Sequence, residues 1–372
     1  MQIINRMYQL LQRRKNQKSF RALKENKGGI DFCSNDYLSI ARNTVLKKKI
    51  HQATAAVDLG STGSRLLSGH STLHHQLEQK AALFHQAEAA LLFNSGYTAN
   101  LSTLSAVPRK SDIILFDALI HASLHDGLKL SVAQSESFDH NNTKALEELL
   151  VKHHKKNIFV VVESIYSMDG DEAPLIPILE LCKQYNALMI VDEAHSTGIY
   201  GIKGEGLCVA KGIEQEVFAR IHTFGKAFGM HAAVIAGSTL LKDYLINYAR
   251  PLIYSTALDP HSVLSISMIY DHLQENGEQY IEELQERIQY FLDNSYSIKD
   301  QLIVSESPIQ GIIIPGNEPV SRACYQMQQA GFDVRAIRSP TVAAGKERIR
   351  ICLHRHNSLE QIKALLNCLQ QL

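Results

Sequence analysis

The segment "LMIVDEAHSTG", Leu188 to Gly198, ends an apolar run in Asp192, Glu193, Ala194 and His195. Two chemistries suit an acidic pair beside an imidazole. The carboxylates can hold Mg²⁺ next to a nucleotide, or the strand can deliver one carboxylate and one imidazole to a cofactor ring. The four letters alone do not choose. A second reactive group stands in "HTFGKAFG", His222 to Gly229, where Lys226 follows a short apolar run. A lysine in such a turn is ordinarily solvated, and it gains interest only if Asp192 reaches the same pocket.

The nucleotide reading requires more than the letters of a DEAH-box ATPase. It needs an upstream GxxxxGK[ST] loop, whose backbone N–H groups wrap the phosphates and whose lysine reaches the terminal ones. The chain's two Gly-Lys pairs, Gly225-Lys226 and Gly345-Lys346, both lie downstream of Asp192. Arg220 and Pro340 occupy the position of the first glycine, and Ala227 and Glu347 that of the Ser/Thr. No phosphate-binding loop of this type exists. Nor does the charge favour a nucleic-acid partner, since 38 basic residues balance 38 acidic ones and leave no overall basic field.

The elements that must position Asp192 and Lys226 follow from the pattern between about Leu73 and Ile235. "AALLF", "DIILFD", "NIFVVVES", "ALMIVDEAH", "VFARIHTFGK" and "AAVIAGS" read as strands, most of them separated by amphipathic helical stretches. The β-branched "NIFVVVES" suits a strand covered on both faces. Such alternation predicts a mainly parallel sheet between helices, with ligands bound beyond the carboxyl ends of its strands. After about Tyr248 the texture changes. Two helical stretches are expected between about Asp259 and Ser295. "GIIIP", a helix near Val320–Ala330, "FDVRAI", "RIRICL" and a final helix follow. The chain therefore divides into an N-terminal segment (1–45), a large α/β domain (46–250) and a smaller α+β domain (251–372).

Asp192 and Lys226 then end or follow neighbouring strands at one sheet edge. A pyridine aldehyde cofactor needs that pair: a lysine to form the Schiff base and a carboxylate to keep the ring nitrogen protonated, so that the ring accepts carbanion charge. That cofactor is pyridoxal 5′-phosphate (PLP). Its phosphate needs an anion site, and "FNSGYTAN" runs strand, turn, helix start, with the N–H groups of Ser95, Gly96 and Tyr97 offered at a helix N-terminus. His121, opening the helix of "HASLHDG", is placed to stack on the ring.

These stretches together resemble the α-oxoamine synthases, fold-type I PLP enzymes that condense an amino acid with an acyl thioester and release CO₂. "FCSNDYLS", "GSTGSRLLSGHSTLHHQLE", "NSGYTAN", "HASLHDG", "ESIYSMDGD", "VDEAHSTGIYG", "HTFGKAFG", "PLIYSTALDP" and "IRSPTVAAGKERIRI" occur in the family's order from about Asp31 onward. The resemblance implies a large domain with a mainly parallel seven-stranded sheet. It gives Lys226 the cofactor aldehyde, Asp192 the ring nitrogen, His195 the ring hydroxyl and His121 the ring face. Ser167 and Thr223 would bond ring oxygen or phosphate, and Gly96 and Tyr97 the phosphate. Thr256 would come from a second subunit, implying a homodimer with shared sites. Asn35 and Arg350 would hold the amino acid's carboxylate, for which a planar guanidinium is suited.

"LIYSTA" and "IRSPTV" lean towards the biotin-pathway branch, which joins L-alanine to a pimeloyl thioester carried on coenzyme A or an acyl carrier protein. The aminoketobutyrate and sphingoid-base branches keep the chemistry but take glycine or serine. Arg21 would meet the distal carboxylate of the acyl chain, or else be a surface arginine, because the match is loose there. Three departures bear on the acyl group more than on the cofactor: Met230-His231 in a lysine loop one residue short, "SPTVAAG", and "ALDP".

The remaining composition is ordinary for a soluble, cytoplasmic enzyme of 372 residues, 45% hydrophobic. No run approaches the roughly 20 apolar residues of a membrane span. The basic N-terminal residues lack the apolar stretch of a secretory signal. Six cysteines without a CxxC pair read as scattered thiols in a reducing compartment. His74/His75 and His153/His154 read as surface residues, and no metal is expected.

Overall fold

The computed structural model describes residues 2–23 and 28–372. The chain forms two compact units. The larger comprises Asp36–Tyr166 and Glu172–Glu282, and the smaller Met1–Asn35, Ser167–Asp171 and Glu283–Leu372.

The larger unit is built on a seven-stranded sheet. Its strands, in spatial order, are Ala89–Phe93, Ala233–Gly237, Ala219–Thr223, Leu188–Asp192, Ile158–Glu163, Ile113–Asp117 and Gln134–Phe138. Ala233–Gly237 runs antiparallel to both neighbours, and the other adjacent pairs are parallel. Every residue of Ile158–Glu163 is buried, as its β-branched run predicted. The six strands read from the sequence are present. The seventh, Gln134–Phe138, was not, because "QSESF" on a sheet edge exposes most of its residues and carries no apolar alternation. Leu91, Ile114, Val161, Ile190, Ile221 and Ile235 form the core beneath the helices.

A single 34-residue helix, Pro260–Asp293, replaces the two expected there. Its N-terminal part belongs to the larger unit. Tyr270 meets Phe84, Phe224 and Phe228 edge-on. A Cβ on Gly277 would lie 2.5 Å from the Lys203 carbonyl oxygen, so only glycine permits that approach. The contact boundary consequently falls at Glu283, inside the helix, whereas the sequence division was drawn at Arg250-Pro251. Residues 36–45 likewise group with the larger unit.

The smaller unit carries the sheet Arg335–Ile337, Arg348–Cys352, Ile309–Ile313, antiparallel throughout, with helices Asn317–Gln329 and Leu359–Leu369. Its first helix, Gln2–Asn16, buries no residue. No helix of the described residues is long and apolar enough to cross a membrane.

Candidate active site

At the carboxyl end of Leu188–Asp192, Asp192 is 3% exposed. Its Oδ1 accepts from the Ala194 N–H at 2.9 Å and its Oδ2 from Asn100 Nδ2 at 2.6 Å. Glu163, its register partner on the adjacent strand, is also buried. Burial, and then the neighbouring Asp192 charge, push the Glu163 carboxyl well above its ordinary range. Both effects favour the protonated form of Glu163.

His121 caps the helix Ala122–Leu130, its Nδ1 accepting from the Ser123 N–H. Burial lowers its pKa; Asp192 opposes that shift and Lys226 adds to it. The Lys226 charge thus acts on both His121 and Glu163. Its loop is bonded to itself: Phe224 N–H to Ala232 O, Met230 N–H to Phe224 O and Gly229 N–H to Lys226 O, at 2.8–2.9 Å. Ala232 closes it at φ 109°, a conformation that L-residues adopt only at a cost.

The turn expected to serve as an anion cradle opens the helix Gly96–Ala106. Ser95 caps the helix Gly96–Ala106 in a reciprocal box with Thr98. The Ser95 N–H is thereby spent on Thr98 Oγ1, a correction to the reading that offered it to a ligand. Gly96 and Tyr97, in the first turn, have no intrahelical acceptor for their N–H groups. A Cβ on Gly96 would lie 2.4 Å from Thr223 Cγ2, so glycine is what lets Thr223 reach this turn. Thr223 Oγ1 is buried without a hydrogen-bond partner. An orphaned hydroxyl beside two free N–H donors fits a phosphate. Tyr97 is itself exposed, and its hydroxyl donates to Asp126.

His195 is buried, with Nδ1 held 2.8 Å from the Tyr37 hydroxyl. Glu193, incidental on the sequence reading, holds the following loop together. Its Oε2 accepts from Ser196 Oγ at 2.7 Å, Leu207 N–H at 2.5 Å and Cys208 N–H at 3.2 Å. Glu193→Ala would leave these buried donors unmatched. It is expected to lower stability by roughly 3 kcal/mol in a urea titration while the folded protein still takes up its cofactor.

Thr256 is exposed, and its carbonyl accepts from Asn94 Nδ2 within the same chain. In the smaller unit Arg350 donates to Ser167 O at 2.7 Å and to Asn35 Oδ1 at 3.0 Å. Ser167 thus meets Arg350 through its backbone. Arg21 is exposed and donates to Thr341 Oγ1, lining a cavity of about 180 Å³ with Arg14 and Arg338. Asp31, His354 and His356 cluster closely enough to suggest metal ligands. The Asp31 oxygens accept from Cys33 and Ser34, however, and both His354 ring nitrogens already have oxygen partners.

One sequence reading is overturned outright. His74 is fully buried, bridging Ser71 and Leu258. Burial, reinforced by Arg65, lowers its pKa to about 4.

Known proteins resemble this chain in sequence and fold. The family described as aminotransferase class I and II matches residues 27–368. An 8-amino-7-oxononanoate synthase of Emericella nidulans is 39% identical over 91% of this chain and 87% of its own. The crystal structure of an 8-amino-7-oxononanoate synthase from Francisella tularensis superimposes with a TM-score of 0.80 at 29% identity, covering 93% of this chain and 98% of that one. A serine palmitoyltransferase from Sphingomonas wittichii gives 0.86 at 27%, over 92% and 86%.

Proposed function

We propose, starting from the fact that the chain belongs to the class I and II aminotransferase family, that it is a PLP-dependent acyltransferase of biotin biosynthesis. It condenses L-alanine with a pimeloyl thioester, on coenzyme A or an acyl carrier protein, to give 8-amino-7-oxononanoate, CO₂ and free thiol. The observation that carries this reading is that the Asp192 and Lys226 charges both act on His121, with a buried, unpartnered hydroxyl on Thr223 against Gly96, in a chain 39% identical to such a synthase.

PLP, when bound, supplies a ring that accepts negative charge from the amino acid's α-carbon. The residues do the rest. Gly96, Tyr97 and Thr223 would bind the phosphate. Asp192 would hold a proton on the ring nitrogen, His195, its imidazole held by Tyr37, would bond the ring hydroxyl, and His121 would support the ring face. Lys226 would anchor the aldehyde carbon, and its Nζ, when free, would remove the α-proton of the amino acid. The α-carbon then forms a bond to the acyl carbonyl carbon as the thiolate leaves. The bond to the carboxylate breaks with loss of CO₂, and a proton returns to the α-carbon. Arg350, oriented by Asn35, binds the alanine carboxylate until that loss. Arg21 in its arginine-lined cavity binds the distal carboxylate of the acyl chain.

The working form is a cytoplasmic homodimer. Thr256 bridges to Ser64, and nearby Leu66, Leu67 and Tyr254 are exposed, an apolar surface suited to a second subunit.

The test is an absorbance titration of the PLP-loaded protein with L-alanine, glycine and L-serine, followed by product analysis with pimeloyl-CoA. A saturable spectral shift at the lowest concentration with alanine, and formation of 8-amino-7-oxononanoate, are expected. A tighter response to glycine or serine overturns the alanine assignment.

A further inference from the structure

Asp192 receives one side-chain hydrogen bond among the described residues, and it comes from Asn100. The same Nδ2 donates its second hydrogen to Ser123 Oγ at 2.9 Å. Ser123 Oγ lies 2.7 Å from His121 Nδ1, which also faces the Ser123 backbone N–H at 3.2 Å. The directions in this chain are forced. A backbone N–H only donates, so His121 Nδ1 is an acceptor and carries no proton. The Ser123 hydroxyl, which accepts from Asn100, is free to donate to that nitrogen. The Asn100 amide cannot be turned over, since its oxygen would then face a carboxylate oxygen at 2.6 Å.

Asn100 is 2% and Ser123 0% exposed, so water does not substitute for either. Asn100 Oδ1 has no partner. A buried amide that leaves its acceptor unsatisfied in order to spend both hydrogens of one nitrogen is costly on stability grounds alone. Both of those hydrogens go to groups assigned to the cofactor.

We infer that Asn100 is a positioning residue: it sets the plane of the Asp192 carboxylate toward the ring nitrogen and, through Ser123, fixes His121 as the Nε2–H tautomer at its stacking tilt. The inference rests on the PLP reading above. The other charged or titratable groups facing Asp192 are Glu163 on the adjacent strand, Lys226 on its loop and His121 itself.

The test uses full-length protein loaded with PLP. The visible absorbance of the bound cofactor is followed against pH, and exchange of the alanine α-hydrogen is measured without acyl donor. Asn100→Ala is expected to move the absorbance midpoint by about one pH unit and to slow exchange roughly 10-fold. KM for alanine should stay within about twofold, because Arg350 is untouched. Ser123→Ala should move the midpoint in part, and Ser123→Thr, which keeps the hydroxyl, should restore it. Unchanged midpoints in both Asn100→Ala and Ser123→Ala overturn the inference. If Asn100→Ala fails to fold, a Ser123→Ala midpoint equal to that of the parent overturns it alone. A parent protein with no visible band after PLP addition refutes the cofactor reading instead, before any variant is compared.

Discussion

Replacing Lys226 with alanine is expected to remove the covalent link to the cofactor and the base for the α-proton in one step. The purified variant should lack the pH-dependent visible band of the parent. Turnover of alanine and pimeloyl-CoA should fall by at least ~10⁴-fold, because two catalytic contributions are lost together. The proposed phosphate contacts do not require the lysine side chain: Gly96 and Tyr97 lie on another segment, and Thr223 ends the strand that precedes the lysine loop. PLP should therefore still bind reversibly, which equilibrium dialysis measures. Turnover within tenfold of the parent would refute the assignment of Lys226.

Asp192→Asn separates charge from shape. The amide is nearly isosteric, and it keeps an oxygen for one of the two donors now bonded to the carboxylate. Its other terminus is an NH₂, which confronts either Ala194 N–H or Asn100 Nδ2 with a second donor. The variant should hold PLP but no longer favour a proton on the ring nitrogen. Exchange of the alanine α-hydrogen is expected to slow by ~10²- to 10⁴-fold, with little change in KM for alanine. Near-parental exchange would refute the role given to Asp192. Comparison with Asn100→Ala is informative, since there the charge remains and only its orientation is released.

Asp192, His121 and Lys226 were legible in the sequence for a topological reason. In a mainly parallel sheet the strand ends collect at one edge, so a carboxylate ending one apolar run and a lysine following the next must be neighbours. The turn proposed to hold the phosphate was legible as a strand, turn and helix start in "FNSGYTAN". What the sequence hid lies in contacts between distant segments. Tyr37 and His195 are separated by 158 positions, and no local pattern announces their pairing. Asn100 sits in a helix interior, where a polar residue reads as solvated until the fold turns it towards Asp192. Glu193 looked incidental because its partners, Leu207 and Cys208 N–H, are backbone groups that every residue possesses. His74 failed the other way: a paired histidine in a polar stretch suggested the surface, yet the helix face it occupies is packed.

The lysine loop is closed at its base by the antiparallel pairing of Thr223 with Ala233 and cinched by three internal hydrogen bonds. A tethered amine has no concentration in the ordinary sense. It has an effective molarity, set by how narrowly its tether confines it, and rigid tethers reach values far above any solute. The strained Ala232 at the loop's exit is consistent with a tether drawn tight. Inserting a residue here would be expected to dilute Lys226 at its target carbon while leaving cofactor affinity nearly as it was. Loop length would then act as a rheostat on proton transfer, one that can vary without altering any residue that touches the substrate.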